Sequence, residues 1–364
     1  MPSLSDSPKV TPKEHFQVEN IISTIEMSYT VAVDIGGTNV RVALADARNK
    51  IVFRSVERSE RLSGPTGISQ QTIRMIRSLD SAGRISCIGI GAAGPLDLKD
   101  GSIIHSPNLG FDHIPLVKPL EEEFGVPIHL ANDCVAAVVA EKEFGQGRGC
   151  ANLVYVTISS GIGAGVFVDN HLLIGKDGNA HEIGHITIDH SGRLVCGCGK
   201  RGHWEAYCGA ANIPNLIKLK LGSKAPTEIE RSLLYRACVG DFDKLSSEDL
   251  FESARKGDTL ALLIVQEIGR LNAIGFANVA NAYDPELISV GGTVALANPG
   301  LILEPVRQRI GEHSVNRIPE IRLTELGENI VLYGALALSR QQHLDIHERK
   351  ATTKRGTRDS FFNE

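Results

Sequence analysis

TVAVDIGG, from Thr30 to Gly37, is followed across a single threonine by NVRVALAD, from Asn39 to Asp46, and this stretch decides the fold. Two β-rich runs around a Gly-Gly-Thr turn read as a hairpin. KIVFRSV, from Lys50 to Val56, adds a third strand. A helical stretch near Ser69 to Leu79 then leads to the apolar strand ISCIGIGAAG, from Ile85 to Gly94. HLAND, from His129 to Asp133, ends a short strand, and CVAAVVAEKEFG, from Cys134 to Gly145, continues as a helix. A second cycle opens at NLVYVTISSGIGAGVFVDNHLLIG, from Asn152 to Gly175, again two strands around a glycine-rich turn. This is a weak internal duplication of the strand-turn-strand unit. From Asn212 the chain turns helical, through the amphipathic stretch Asp258 to Tyr283. The strand LISVGG, from Leu287 to Gly292, and a terminal helix from Asn329 to His343 close the pattern. The class is α/β, with two lobes that each hold a mixed sheet.

At 364 residues the chain is long for one core, which agrees with two lobes. Hydrophobic residues at 42% and charged residues at 22% describe a soluble globular protein. A net charge of -5 argues against nucleic acid as partner, and 5% aromatics offer no platform for stacking bases. No run reaches the eighteen or so uninterrupted apolar residues of a membrane span. Seven cysteines do not pair evenly into a disulfide framework, and a reducing cytoplasm suits them best. The polar N-terminus lacks the apolar centre of a signal peptide, and Met27 is a second candidate start. The tail from Arg349 to Glu364 is polar and basic and is expected to be disordered.

Four segments carry chemistry. In DIGGTNVR a carboxylate, Asp34, ends a strand where two glycines let the backbone turn sharply. Thr38 and the exposed amides can bond phosphate oxygens, and Asp34 suits Mg²⁺, directly or through water. The alternative is an ordinary hairpin with a solvated aspartate. In TISSGIGAG, Ser159 and Ser160 offer hydroxyls, while Gly161, Gly163 and Gly165 permit close approach by a phosphate chain. This run has neither the lysine of a P-loop nor the strand-to-helix context of a dinucleotide fingerprint, and alone it reads as a tight hairpin. In LAND, Asp133 is placed to take a proton from a substrate hydroxyl; equally, an aspartate before CVAAVVA is what a helix N-cap wants. Finally, HEIGHITIDHSGRLVCGCGKRGHWE offers His185, Cys196, Cys198 and His203 as zinc-type ligands. Glu182 and Glu205 flank them without being needed for a closed tetrahedral site. His181 to His185 also matches H-E-x-x-H of metalloproteases. That motif needs a helix, which Gly184 and Gly178 oppose, and the neighbouring cysteines would leave no open position for catalytic water.

The order of these pieces resembles the ROK family of sugar kinases and repressors, within the actin-like/hexokinase ATPase group. DIGGTNVR is similar to the first phosphate motif, LAND to the catalytic segment, and TISSGIGAG to the second phosphate loop, with Ser159-Ser160 where Gly-Thr is usual. HEIGH and CGCGKRGHWE resemble the sugar and zinc signature; GAAGPLD, SPNLGF and SVGGTVAL fall at further family loops. The resemblance spans Tyr29 to Gln342. It implies two actin-like (ribonuclease H-like) lobes with a ligand cleft between them: residues 29–131 with 330–345 in one, and 132–329 with the zinc loop in the other. Residues 1–28 form a leader and 346–364 a tail.

The resemblance further implies an ATP-dependent kinase acting on the 6-hydroxyl of a hexose, glucose first and N-acetylmannosamine or another hexose next. Asp133 would be the general base. Asn132, Glu182, His185 and Glu205 would hold the other hydroxyls. ATP and Mg²⁺ would meet Asp34, Gly36, Gly37, Thr38, Asn39, Ser160, Gly161, Gly163 and Gly292. Structural Zn²⁺ would sit on His185, Cys196, Cys198 and His203, where the family usually has cysteine at the last position; Cys208 is the reserve ligand. A homodimer is implied too. Against the family's other members, sugar-responsive repressors, stand the intact Asp133 and phosphate turns and a leader too short for a helix-turn-helix.

Overall fold

The computed structural model describes residues 28–79, 84–106 and 109–340. The leader apart from Ser28, the candidate start Met27 and the basic tail therefore fall outside the described residues.

The first half opens with strands β1 (Ser28–Ile35), β2 (Asn39–Ala45) and β3 (Ile51–Arg58), then helix α1 (Gly67–Arg77) and strand β4 (Arg84–Ala92). After β4 come three short strands, β5 (Leu96–Asp97), β6 (Ser102–Ser106) and β7 (Phe111–Pro115), then α2 (Val117–Phe124) and β8 (Ile128–Asn132). The main sheet runs β3-β2-β1-β4-β8. Its β1, β2 and β3 are antiparallel neighbours, while β4 and β8 join in parallel. β1 is central because Val31, Ala32, Val33 and Ile35 are apolar on both faces, and all are buried. GAAGPLD, read from sequence as a loop, ends in β5 of the small β5-β6-β7 sheet, and of SPNLGF, read likewise, Ser106 ends β6 and Phe111 begins β7 while 107 and 108 lie outside the described residues; these strands are too short for periodicity to register.

The second half repeats the plan. Helix α3 (Asp133–Glu143) leads to β9 (Leu153–Ile158), β10 (Ile162–Val168) and β11 (His171–Leu172). A long loop follows, then helices α4 (Glu205–Cys208), α5 (Ile213–Leu221), α6 (Pro226–Arg231), α7 (Leu233–Ala237), α8 (Ser247–Arg255) and α9 (Thr259–Tyr283). Strand β12 (Leu287–Gly291), helices α10 (Thr293–Ala297) and α11 (Pro299–Arg309), strand β13 (Glu320–Leu323) and helix α12 (Ile330–Arg340) complete the chain. The sheet order β11-β10-β9-β12-β13 repeats that of the first, antiparallel hairpin strands on one side and parallel strands on the other. The duplication glimpsed in one hairpin thus extends over five strands. Each sheet has its own apolar core.

α9 is long and apolar enough to cross a membrane, but two thirds of its most apolar window is buried inside the fold, as befits a core helix. The halves meet where α12, packed on β1 and β4, crosses α3, packed on β9 and β10. A Cβ at Gly334 would collide with the Ala136 carbonyl, so the helices approach at backbone distance.

Candidate active site

The first turn, Gly36 to Thr38, joins β1 to β2. Asp34 and Arg41 are cross-strand register partners, and Arg41 Nη1 donates to Asp34 Oδ2 at 2.7 Å. Burial pushes the Asp34 carboxyl up while Arg41 opposes it. The turn's carbonyls are all engaged: Ser59 Oγ donates to Gly36 O at 2.7 Å, Ser59 N to Thr38 O at 2.9 Å, and Arg61 to Gly37 O. In a trans peptide the following N–H points the opposite way. The amides of Gly37 and Thr38 have no acceptor among the described residues, so the turn presents a nest of donors.

The second turn has the same design. Ala210 N donates to Ser159 O at 2.9 Å and Ala211 N to Ser160 O at 3.0 Å, while the amides of Ser160 and Gly161 have no acceptor among the described residues. Gly292, at φ 89, brings the end of β12 against Ile158 and Thr157, and Thr293 Oγ1 lies 3.0 Å from Ser159 Oγ. The glycines of GIGAG have another use than the sequence suggested. The space a Cβ would fill is taken by Glu205 at Gly161, and by Cys134 at Gly163 and Gly165. They let protein approach closely, and of this run the Ser160 and Gly161 amides, outside the β9-β10 pairing, are left without an acceptor among the described residues.

At the start of α3 the choice between cap and base resolves by one residue. Asn132, extended at φ -61 and ψ 147, is the N-cap, and its Oδ1 accepts from Cys134 N at 2.9 Å and Val135 N at 3.4 Å. Asp133 is left as the first helical residue, with Oδ1 on Cys134 N at 2.8 Å. Burial, helped by the charge of nearby Asp34 and Glu182, pushes its carboxyl up to about 6. A carboxyl with that value is mostly ionised at pH 7 and has the affinity for a proton that general-base chemistry asks for.

His185, Cys196, Cys198 and His203 converge, with ligand atoms all within 4.8 Å of one another. Cys196 Sγ is 3.7 Å from His185 Nδ1 and Cys198 Sγ is 3.3 Å from His203 Nδ1. A tetrahedral ion with bonds of about 2.3 Å to sulfur and about 2.0–2.1 Å to nitrogen separates S from N by about 3.5 Å, so the donor set fits one. Burial and neighbouring His185 hold His203 below the usual imidazole range, which keeps it neutral as a ligand must be. His185 Nε2 faces Glu182 Oε2 at 3.5 Å. Glu205 joins this cluster to the second turn: Oε2 accepts Ile162 N at 2.9 Å and Oε1 lies 3.5 Å from Cys196 Sγ. Cys208, the reserve ligand, is buried against Ile268 O and outside the cluster. His181 is also outside it, and His181 to His185 form only a short 3-10 turn at Ile183–His185, so the metalloprotease motif lacks its helix.

Sequence reasoning missed the residues behind these groups. Asp189 Oδ2 accepts from Tyr207 Oη at 2.5 Å and Arg193 Nε at 2.9 Å, folding the Cys-His loop onto α4. Ser59 and Arg61 likewise gave no signal, since a loop after an edge strand has no periodicity to read, and Gln71 passed as one more polar residue of a helix although it is buried.

Duplicated mixed sheets, paired glycine turns and a carboxylate at the junction define an α/β protein of the actin-like class. The model of the ROK family matches residues 30–342, and the chain belongs to that family. It is 35% identical over 313 residues to the glucokinase of Pyrobaculum calidifontis, covering 86% of this chain and 95% of that one. The crystal structure of a ROK family glucokinase from Streptomyces griseus, in complex with glucose and AMPPNP, aligns with TM-score 0.71 and 30% identity over 86% of this chain and 99% of that chain. The xylose repressor of Bacillus subtilis is 28% identical over 326 residues, 87% of this chain and 78% of its own.

Proposed function

We propose that this chain is an ATP-dependent hexose kinase that transfers the γ-phosphoryl group to the 6-hydroxyl of glucose. The observation that carries the reading is Asp133: released from capping by Asn132, it keeps a carboxylate with its pKa raised to about 6 at the junction of the two halves. The sugar hydroxyl attacks phosphorus while its proton passes to Asp133, and the free amides of the two turns stabilise charge on the phosphates. Mg²⁺ would be held by Asp34, directly or through water, and supplies further neutralisation of the phosphate charge. Zn²⁺ is the ion that suits His185, Cys196, Cys198 and His203. Its role is structural: with Nδ1 on the metal side, His185 turns Nε2 towards Glu182 and the sugar. Asn132 Nδ2, Glu182, His185 and Glu205 would hold the remaining hydroxyls.

Glucose leads over N-acetylmannosamine because the glucokinases named above match nearly their whole lengths. A cytoplasmic location goes with this reading, for which the seven free thiols speak, as does a homodimer, which rests on family membership alone. The test is ADP release, in a coupled assay with MgATP, against a panel of hexoses and N-acetylhexosamines. Turnover with glucose as the clear favourite is expected. Metal-loaded, folded protein inert towards every sugar would turn the reading to a sugar-sensing regulator.

A further inference from the structure

We propose that Arg61, with Ser59, is a positioning residue for phosphoryl transfer, holding the first glycine turn from behind so that its amides face the nucleotide's phosphates. The inference rests on reading that turn as a phosphate site.

Three consecutive carbonyls, those of Gly36, Gly37 and Thr38, are held by one short segment, Ser59 to Arg61. Each captured carbonyl fixes the N–H of the next residue on the opposite side of the chain. The segment itself does not drift. Gln71 on α1, 2% exposed, accepts from Glu60 N at 2.9 Å and donates to Arg58 O at 2.7 Å. Beyond it, Glu60 Oε1 accepts from Leu62 N at 2.8 Å and Ser63 N at 3.2 Å, closing the loop on itself. A buried side chain therefore decides where an exposed arginine stands.

Charge adds to geometry. Arg41, the cation within the motif itself, is neutralised by Asp34. Arg61 has no carboxylate within 4.0 Å among the described residues, so its full charge lies beside the turn. A guanidinium on Gly37 O polarises the Gly37–Thr38 peptide and strengthens its N–H as a donor. It does so without needing to touch the substrate, and most of its donors stay free.

The test uses the full chain with glucose saturating and MgATP varied, then the reverse, beside thermal melts. Arg61→Gln should raise KM for MgATP about 10-fold, the loss of one charge-assisted hydrogen bond, with KM for glucose and Tm unmoved. Arg61→Lys should recover part of the loss, and raised salt should narrow the gap to wild type. Thr38→Ala separates the two layers of the reading. If Thr38→Ala raises KM for MgATP and Arg61→Gln does not, the turn binds phosphate and the role of Arg61 is refuted. If neither moves it, the phosphate reading of the turn falls and takes the proposal with it. A parallel rise in both Michaelis constants with a lower Tm would make Arg61 merely structural, and also overturns it.

Discussion

In the first half, the carbonyls of the glycine turn are gripped by Ser59 and Arg61 from an exposed loop; in the second, those of Ser159 and Ser160 are gripped by backbone amides of Ala210 and Ala211. The hairpins and sheet orders match, yet the supports differ in kind. Side chains from a surface loop can change without disturbing a core, so the first turn is adjustable in isolation. The second turn is held by the residues that follow α4, and Glu205 ties it to the Cys-His cluster. Anything that loosens the Cys-His loop should therefore reach the second turn and leave the first alone. Of the two matching hairpins, one has its turn held by a charged side chain and the other has its turn tied to the Cys-His cluster.

The largest effect should come from the residue both turns serve. α3 leaves the edge of the first sheet and lies on the second, with Asp133 at its start. Asp133→Asn should lower kcat by about 10²–10⁴ while sugar affinity, read by titration, stays near wild type. In the native enzyme kcat/KM should rise as pH climbs through about 6, and a flat profile would remove Asp133 from the base role. Stability should move the other way. With the folded-state pKa raised from 3.8 to about 6, the native state holds the extra proton between those values, and stability falls as pH rises through that window. At pH 7 the ionised carboxylate costs the fold up to roughly 3 kcal/mol, less what its exposed edge recovers from water. The inactive variant should therefore melt higher than the active enzyme at pH 7 and no higher at pH 3.

Next in size is Cys198→Ala, which removes an exposed ligand without opening the core. Bound metal should be lost, and KM for glucose should rise about 10–100-fold as His185 loses its orientation. The comparison of turns makes the sharper claim: KM for MgATP should rise with it, by a smaller factor, through Glu205 and the 209–211 backbone. Metal analysis and both Michaelis constants check this. Metal-free protein with an unchanged KM for MgATP would break the coupling between cluster and second turn.

Glu205→Gln asks how much of that coupling is carried by one side chain. A glutamine oxygen can still accept from Ile162 N, so the turn should survive while the charge beside Cys196 goes. A rise of about 3–10-fold in KM for glucose, with KM for MgATP within about 2-fold, is what losing one charged acceptor predicts. The reverse order of effects would mean that Glu205 serves the turn before the sugar.

Much of this was legible because the strongest signals are local. Thr30 to Asp46 reads as a hairpin from composition and turn residues, and the four ligands of the cluster are close in sequence. What was not legible depends on tertiary contact. Nothing local says that Asn132 caps α3 and Asp133 does not, since both residue types suit the position. The vacant Cβ positions at Gly163 and Gly165 resemble a phosphate loop until Cys134 is seen to fill the space. Ser59 and Arg61 act through backbone carbonyls brought near only by the fold, and Asp189 through the side chains of Tyr207 and Arg193.

The smallest kinetic effect, and the test of what anchors the second turn's support, is Trp204→Phe. Trp204 lies between His203 and Glu205, is 1% exposed, and donates Nε1 to Asn272 Oδ1 on α9 at 2.9 Å. Gly275 makes room for its ring, and Phe276 packs edge-on at 5.5 Å. Phenylalanine keeps the ring contact but leaves Asn272 Oδ1 buried without its donor, in a side chain whose Nδ2 already has no partner. That should cost about 1–3 kcal/mol of stability, seen as a lower Tm. If the anchor only bears the loop's weight, both Michaelis constants stay within about 2-fold, since Ala210 and Ala211, just after α4, keep their backbone bonds to Ser159 and Ser160. A rise in KM for MgATP at unchanged Tm would instead show that the second turn takes its position from the indole hydrogen bond, and the contrast would shift from loop against metal cluster to loop against long helix.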